Sequence, residues 1–509
     1  MEVEQLKDAI SAGRITVDRL IDLVVTLQQQ LQATKQELDE AKKRIDELER
    51  QLGGSATSMP SEPFSMRAEE RRQQARGNKR RKRKQRSKGG RKRSAEKVAQ
   101  AVRSEEVFPA GVPKADCWLS HTRPVWRVEN GQAVLVAYKV YRGPRNQYGT
   151  IPGVFGRSEF GMEIVLAIAY QVYILGLSFD KTCLLVNFFQ NLKLSKSQAE
   201  VLMKRLARRW EEEFDVLCML LANSLVVHTD ETGWSINSVW AFLSEKVRVI
   251  FYGVPKDAAT LARILDPATF AGMLISDDAA VYANFTLAQK CWAHLLRKAI
   301  KLTLLDPANA NYRRFTDHLL EIYYEACRVQ RDRRLSAAGR AAKVAVLDDK
   351  ILALCGAVWA AELPVGEGSE DDYRRLCNEL MRLMLDQQLF TFVMAAPVQK
   401  PNGETMAVSG TNNSAEQFLR SPAQARDTGR TNKTPVGGRR QTVIVSVLES
   451  LRQYLTTFTL SSVIEEVKHW LKTGRSCFAR LAKKLGLLDS QPRASRSALL
   501  DRLLPVPDG

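Results

Sequence analysis

The sequence predicts an α/β protein whose strand-bearing block is split by a long helical stretch, with a coiled coil near the N-terminus and mainly helical flanks. Three observations predict it. Apolar residues recur by alternating threes and fours over 17–52. Short apolar runs ending in polar or acidic residues recur between 224 and 276. Residues 311–395 are patterned as helix almost throughout.

The first segment, 1–54, reads as a coiled coil. Val17, Leu20, Val24, Leu27, Leu31, Thr34, Leu38, Ala41, Ile45, Leu48 and Leu52 form one seam, with Val17 and Val24 at a and Leu20 and Leu27 at d. Such a seam buries its stripe against another helix and leans toward a parallel dimer, so a homo-oligomer is expected. One amphipathic helix packed on its own globular domain is the competing reading. Gly53-Gly54 stops the helix.

Residues 55–104 read as a basic, disordered linker. Between Arg67 and Lys97 stand 16 Lys or Arg and three Glu, a net of +13 out of +19 for the whole chain. Almost nothing apolar lies there to build a core. Its densest run, Lys79, Arg80, Arg81, Lys82, Arg83 and Lys84, favours phosphate binding without sequence readout. In a basic zipper the basic region precedes the coil and continues its helix. Here it follows, after two glycines and two prolines, so a basic-zipper factor is not expected.

Residues 105–158 read as a small β-rich region of short strands and turns. Residues 159–221 read as helical. There Asn191–Ser195 gives a turn and an N-cap, and a helix follows with Lys204, Arg205, Arg208 and Arg209 on or near one face. The segment fits either a helix-turn-helix DNA reader or a helical prelude to the next domain.

An α/β rhythm begins near Ser224. Strands are expected at Ser224–His228, Val239–Leu243, Val247–Tyr252 and Met273–Ser276, with a helix at Asp257–Leu265 and a basic helix at Lys290–Leu302. Pro397–Gly410 reads as a loop, Gly437-Gly438 as a basic turn, and helices return from Asn413 and from Thr442.

Composition excludes several classes. The 509 residues are 45% hydrophobic, enough for more than one core, yet no apolar run approaches the roughly 20 residues of a membrane helix. Eight cysteines include no CxxC pair, which argues against a zinc ribbon or a disulfide framework and for a reducing cytoplasm. No phosphate-loop, HExxH or GxSxG pattern occurs. The charge points to a polyanionic partner.

Chemistry is expected where acids end neighbouring strands: His228-Thr229-Asp230-Glu231 and Ser276-Asp277-Asp278. Converging carboxylates repel unless a cation neutralises them, and oxygen-only clusters suit magnesium or manganese. Two such ions about 4 Å apart serve phosphoryl transfer. A third acid is available at Glu416, in the first turn of a helix that Asn412 or Asn413 caps.

The strings Asp-Glu-Thr-Gly-Trp (230–234), Cys-Trp-Ala-His-Leu-Leu-Arg-Lys (291–298) and Asn-Asn-Ser-Ala-Glu-Gln-Phe-Leu-Arg (412–420) resemble the insertion sequence 66 family of bacterial transposases. The resemblance runs over about 220–460 and extends to 150–220. It implies an α/β ribonuclease H-like catalytic domain with an all-helical insertion: 222–304 as the first part of the core, 305–405 as the insertion, 406–460 as the rest with the Glu416 helix, and 461–509 as a helical tail. It implies an acidic-triad (DDE) enzyme with Asp230, Asp277 and Glu416 catalytic and metal-ligating, two magnesium ions (manganese as a substitute), and DNA as partner, both the terminal inverted repeats of an element and its target. It implies a cytoplasmic, nucleoid-associated bacterial protein. Asp278 is the alternative second acid, because Asp277-Asp278-Ala279 stands where the family has Asp-Gly-Tyr. Arg297, Lys298 and Arg420 are candidates for phosphate contact.

His228 shares a strand face with Asp230 and reads as a supporting residue, not a base. Trp234 reads as packing. Cys291 and His294 lie three apart on one helical face, and a structural or substrate-facing role is expected for them. Cys117 and His121 supply only two ligands, so no zinc is expected. Two other readings stay open: a structure-selective nuclease on the same fold that does not join strands, and a non-catalytic DNA-binding assembly protein.

Overall fold

The structure, a computed structural model, describes residues 90–360, 368–488 and 497–505, together with Val25, Gln32, Gln36, Asp39 and Glu40, which are helical. The rest of the expected coiled coil and the run Lys79–Lys84 lie outside the described residues. Residues 89–509 form one compact unit.

Helix α1 (Gly90–Ala99) lies inside the stretch expected to be a disordered linker, and strand β1 (Arg103–Val107) begins before the expected boundary at 105. Both are held by tertiary contacts that the local charge pattern does not show: Lys97 pairs with Glu159, and Val102 N–H bonds to the Leu135 carbonyl at 2.9 Å. Two long strands follow, β2 (Trp118–Glu129) and β3 (Gln132–Arg142), where short ones were expected. Asn130 and Gly131, both at positive φ, make the two-residue turn between them. The sheet order is β1-β3-β2, over a small core of Val125, Val136, Tyr138, Val140, Ile151 and Val154.

Helices α2 (Met162–Ala169), α3 (Phe179–Gln190) and α4 (Lys196–Ala222) come next. Asn191 ends α3 in the left-handed region, and Ser195 with Gln198 forms the capping box that starts α4. The inner face of α4, including Leu206, Trp210, Phe214, Leu217 and Leu221, shares one apolar core with the main sheet.

The main sheet runs β6-β5-β4-β7-β8, from β4 (Val226–Gly233), β5 (Ser238–Ser244), β6 (Arg248–Val254), β7 (Met273–Ser276) and β8 (Ala288–Lys290). The first three are antiparallel; β7 and β8 run parallel to β4. Helix α5 (Ala258–Ile264), capped by Asp257, precedes β7. Strand β4 is longer than expected. It pairs with β7 only over 226–228 and continues along β5 to Gly233, so Asp230 sits within the strand, opposite Ala241.

After β8, helix α6 (Trp292–Leu305) leads into α7 (Ala310–Arg331), α8 (Ala337–Ala360), α9 (Ser369–Leu385) and the short α10 (Thr391–Met394). These helices have their own core, with Trp292, Phe315, Leu319, Ile351, Leu380 and Phe392, and Val226 and Ile275 of the sheet join it. The chain then returns to the sheet as α11 (Asn413–Asp427), which packs on β4 and β5.

Helix α12 (Pro435–Tyr454) covers the outer edge of β6. The Thr442, Ser446 and Ser450 hydroxyls accept the Tyr252, Ile250 and Arg248 N–H groups, each at 3.0 Å. Four helical residues rise about 6.0 Å and two strand residues about 6.7 Å, so hydroxyls at every fourth position stay in step with the outward N–H groups. An edge that would otherwise template another strand is thereby closed. Gly437 and Gly438, expected in a turn, lie in the first turn of α12. A Cβ at Gly438 would meet the Tyr252 carbonyl oxygen at 2.7 Å, so this approach needs glycine. Helices α13 (Leu460–Thr473), α14 (Cys477–Lys484) and α15 (Ala498–Leu503) complete the described chain; no described helix is long and apolar enough to cross a membrane.

Candidate functional site

Asp230 on β4, Asp277 just after β7 and Glu416 in the first turn of α11 come from adjacent strands and the helix packed on them. Burial pushes the Asp230 carboxyl up to about 7, helped by the charges of Glu231, Asp277 and Glu416. Its Oδ1 accepts the Glu231 N–H at 3.0 Å, and Asp277 Oδ1 accepts the Ala279 N–H at 3.1 Å. Among the described residues neither carboxylate has an ion-pair partner.

The neighbouring acids are paired. Glu231 meets Lys256 at 2.6 Å and accepts the Tyr282 hydroxyl. Asp278 pairs with Arg382 and lies 3.9 Å from Lys290. Glu416 takes Arg297 through both oxygens, at 2.8 and 3.0 Å, with His294 Nδ1 at 3.6 Å. Lys298 pairs with Glu379 at 2.6 Å. Two of the three expected phosphate contacts, Arg297 and Lys298, are thus held by carboxylates, whereas Arg420 is exposed.

Asn412 stands at the N-cap position of α11 but does not cap it. Fully buried, it donates its amide to the Thr229 carbonyl at 2.7 Å, while its N–H donates to Cys291 Sγ at 3.1 Å. One residue therefore ties the Glu416 helix to β4 and to the start of α6. The sequence reading treated it as a cap only; the doubled Asn412-Asn413 was the available signal.

Cys291 is 1% exposed and its thiol is pushed up by burial, so it acts as an acceptor within this joint. Cys291, His294 and Glu416 are the one described group of three or more such side chains whose ligand atoms all lie within 4.8 Å of one another; Asp230 and Asp277 do not join it. His228 is buried beside Asp230, and burial drives its imidazole down to about 4, so it is neutral and no proton carrier at neutral pH. Trp234 packs edge-on against Tyr252, centroids 5.3 Å apart.

A cleft of about 650 Å³ opens beside these acids, between α6 and α9, lined by Asp277, Lys290, His294, Lys298, Arg375 and Arg382 among others. Lys290 was not singled out in the sequence. It is buried, and its ammonium donates to the Asp277 carbonyl at 3.2 Å, fixing the turn that carries both aspartates. Burial lowers its affinity for a proton, offset by Asp278 and Asp277.

Cations and acids interleave along this cleft, with Lys298 on Glu379, Arg375 on Asp371 and Arg382 on Asp278. A comparison with curated proteins finds no match. Residues 157–392, from the loop before α2 through the helical stretch, match the family model described as Transposase IS66 family; the match stops short of Glu416. That match identifies residues 157–392 as a transposase IS66 family domain.

Proposed function

We propose that this transposase cuts DNA at the ends of its element and joins the released 3′ hydroxyl to target DNA, using Asp230, Asp277 and Glu416. The observation that carries the reading is the charge pairing. Asp230 and Asp277 are left without a cation while Glu231, Asp278 and Glu416 each have one. The strand order β6-β5-β4-β7-β8, followed by an acid-bearing helix packed back on β4, supports a ribonuclease H-like core with α7–α10 as its insertion. Asp277, not Asp278, is the second acid of this proposal, because Arg382 and Lys290 occupy Asp278.

The donor set is oxygen-only and partly buried, which fits magnesium or manganese. Asp230, Asp277 and Glu416 would hold two such ions, which would supply charge for activating water and stabilising the leaving oxygen. The protein's part is positioning. Asn412 holds the Glu416 helix against β4, Lys290 fixes the turn of Asp277, and Arg297 exchanges Glu416 for substrate phosphate as the site fills. Lys298, Arg375 and Arg382 line the strand's approach. No covalent nucleophile is needed. The segment 1–54 pairs two copies so that both ends are held together.

The test is cleavage of a plasmid carrying two element ends, with magnesium or manganese. Asp230→Asn, Asp277→Asn and Glu416→Gln should each abolish cleavage and leave end binding within about twofold. Near-normal cleavage by any one removes that residue from the triad. Cleavage without joining of a supplied 3′ hydroxyl end would make the protein a nuclease.

A further inference from the structure

A second charged surface lies away from the acids just described. On α4, Lys204, Arg205, Arg208 and Arg209 are all exposed. They occupy positions i, i+1, i+4 and i+5, so they form two adjacent rows on one face, over about 7.5 Å of helix axis. Beside that face the loop following Val154 brings in more cations. Arg123 reaches from β2 to donate to the Gly156 carbonyl at 3.3 Å and to the Ser158 carbonyl at 2.9 Å. Arg209 lies over the Phe155 ring at 5.6 Å, and a Cβ at Gly156 would sit 3.9 Å from its guanidinium. Arg123 and Arg209 therefore flank one loop residue from two sides, and Arg157 is exposed next to it.

Glu159 acts on Arg123 from a distance and is itself paired with Lys97, but no described carboxylate forms an ion pair within this group. Of the acids of α4, Glu200 pairs with Arg440, Glu211 with Arg439, and Glu213 and Asp215 accept the Ser476 and Ser497 hydroxyls; Glu212 lies one turn beyond Arg208. Among the described residues, Lys204, Arg205, Arg208, Arg209, Arg123 and Arg157 form no ion pair. Arg123 and Arg157 act on each other and on His121, whose imidazole is held below its ordinary value first by burial and then by their charges. Like charges gathered without a counter-charge repel, and a bound polyanion relieves that.

We infer that the exposed face of α4 and the adjoining 155–158 loop form a binding surface for the phosphate backbone of duplex DNA. The inference rests on the family's DNA-processing role and not on the acidic triad. The contact is with backbone and not base edges. The opposite face of α4 is packed into the core, and the exposed face presents long, flexible cations suited to phosphate oxygens. Duplex is favoured over single strands because a single strand needs open aromatic faces for its bases. Here Arg209 covers Phe155, and the small hollow behind, about 190 Å³, has Val165, Leu202 and Leu206 in its lining.

The experiment uses the full chain in EDTA, so that the carboxylate site takes no part. Anisotropy of a labelled duplex of random sequence is followed over several salt concentrations for the wild type and for Lys204→Gln/Arg205→Gln/Arg208→Gln. Losing about three phosphate contacts should lower the slope of log affinity against log salt by about 2.7. Arg209 and Arg123, which pack against the loop, are left in place, and an unchanged melting temperature shows that the variant is folded. Independently, an amine-acylating reagent should modify Lys204 in free wild-type protein several-fold faster than in the duplex complex. An unchanged slope, or equal acylation with and without duplex, overturns the inference. So does a fall in slope seen on single strands alone. Manganese-dependent cleavage by the same variant at low salt, where binding is saturated, scores the triad separately: loss of cleavage by Asp230→Asn with this slope unchanged would leave the triad standing and this surface refuted.

Discussion

Asp230→Asn should make the metal-free protein more stable, and by an amount that grows with pH. The Asp230 carboxyl is raised from its ordinary 3.8 to about 7, by burial first and then by Glu231, Asp277 and Glu416. A raised carboxyl binds its proton more tightly in the folded state than in the unfolded one. Its ionisation therefore weakens folding progressively between the two values. The penalty vanishes below about pH 3, where both states hold the proton, grows as pH rises from the unfolded value toward the folded one, and is complete above about pH 7. Three units at about 1.4 kcal/mol each set an upper bound of about 4 kcal/mol at pH 8. Solvent reaches one side of this carboxyl and screens part of the effect, so about 2 kcal/mol is expected. Asparagine keeps the shape and never ionises. Urea unfolding in EDTA should show the variant only about 0.5 kcal/mol more stable than wild type at pH 4.5 and about 2 kcal/mol more stable at pH 8. Magnesium should stabilise the wild type at pH 8 and the variant much less. A gain that is absent at pH 8, or equal at both pH values, would refute the placement of Asp230 in a crowded, cation-poor pocket.

Three further outcomes follow from other parts of the structure. Ser446→Ala leaves the buried Ile250 N–H of the β6 edge without an acceptor and should cost about 1–3 kcal/mol in urea unfolding, while Ser446→Thr, which keeps the hydroxyl, should cost less. Asp278→Asn should retain most DNA cleavage, because it only loosens contacts to Arg382 and Lys290, whereas Asp277→Asn should retain none; the reverse pattern would exchange their roles. Deleting residues 1–52 should lower the sedimenting mass and impair capture of a second DNA end more than binding of the first, and an unchanged mass would remove the pairing role of that segment.

Much of the candidate site was legible because its chemistry is written in short strings. Asp230, Asp277 and Glu416 stand in runs whose local pattern of strand, strand and helix start is clear, and in the structure the charges of Asp277 and Glu416 reach Asp230. What was not legible depends on contacts between distant residues. Asn412 looked like a cap because its neighbours begin a helix, but a buried amide bonds wherever the nearest unpaired carbonyl lies, here at Thr229. Gly437-Gly438 looked like a turn because glycine is rare inside helices, yet the approach of α12 to Tyr252 leaves no room for a side chain. Thr434 before Pro435 was the local sign of a helix start, and the hydroxyls at 442, 446 and 450 the sign of what it covers. The length of β2 and β3 was likewise signalled by Asn130-Gly131. Helix α1 had no such sign, since a stretch so rich in Arg and Lys folds only where acids such as Glu159 meet it.

The pairing of charges around β4 and β7 links these local facts to function. An acid that must bind a cation in use cannot also be neutralised permanently by the protein, yet leaving several acids bare in one pocket is costly. Here the load is divided. Glu231 and Asp278, which flank Asp230 and Asp277 in sequence, are neutralised by Lys256, Arg382 and Lys290. Glu416 is held by Arg297, a partner that is half-exposed and therefore free to move to a phosphate. Only Asp230 and Asp277 stay bare, and the carboxyl of Asp230 is raised by burial first and then by the charges of Glu231, Asp277 and Glu416. Replacing Arg297 by Gln would test this division: Glu416 would then add to the repulsion on Asp230. Metal-free stability at pH 8 should fall, and the pH at which Asp230 ionises, read by NMR of its carboxyl carbon, should rise. If that pH does not move, Glu416 is too far from Asp230 to share ions with it, and the third acid must be sought elsewhere.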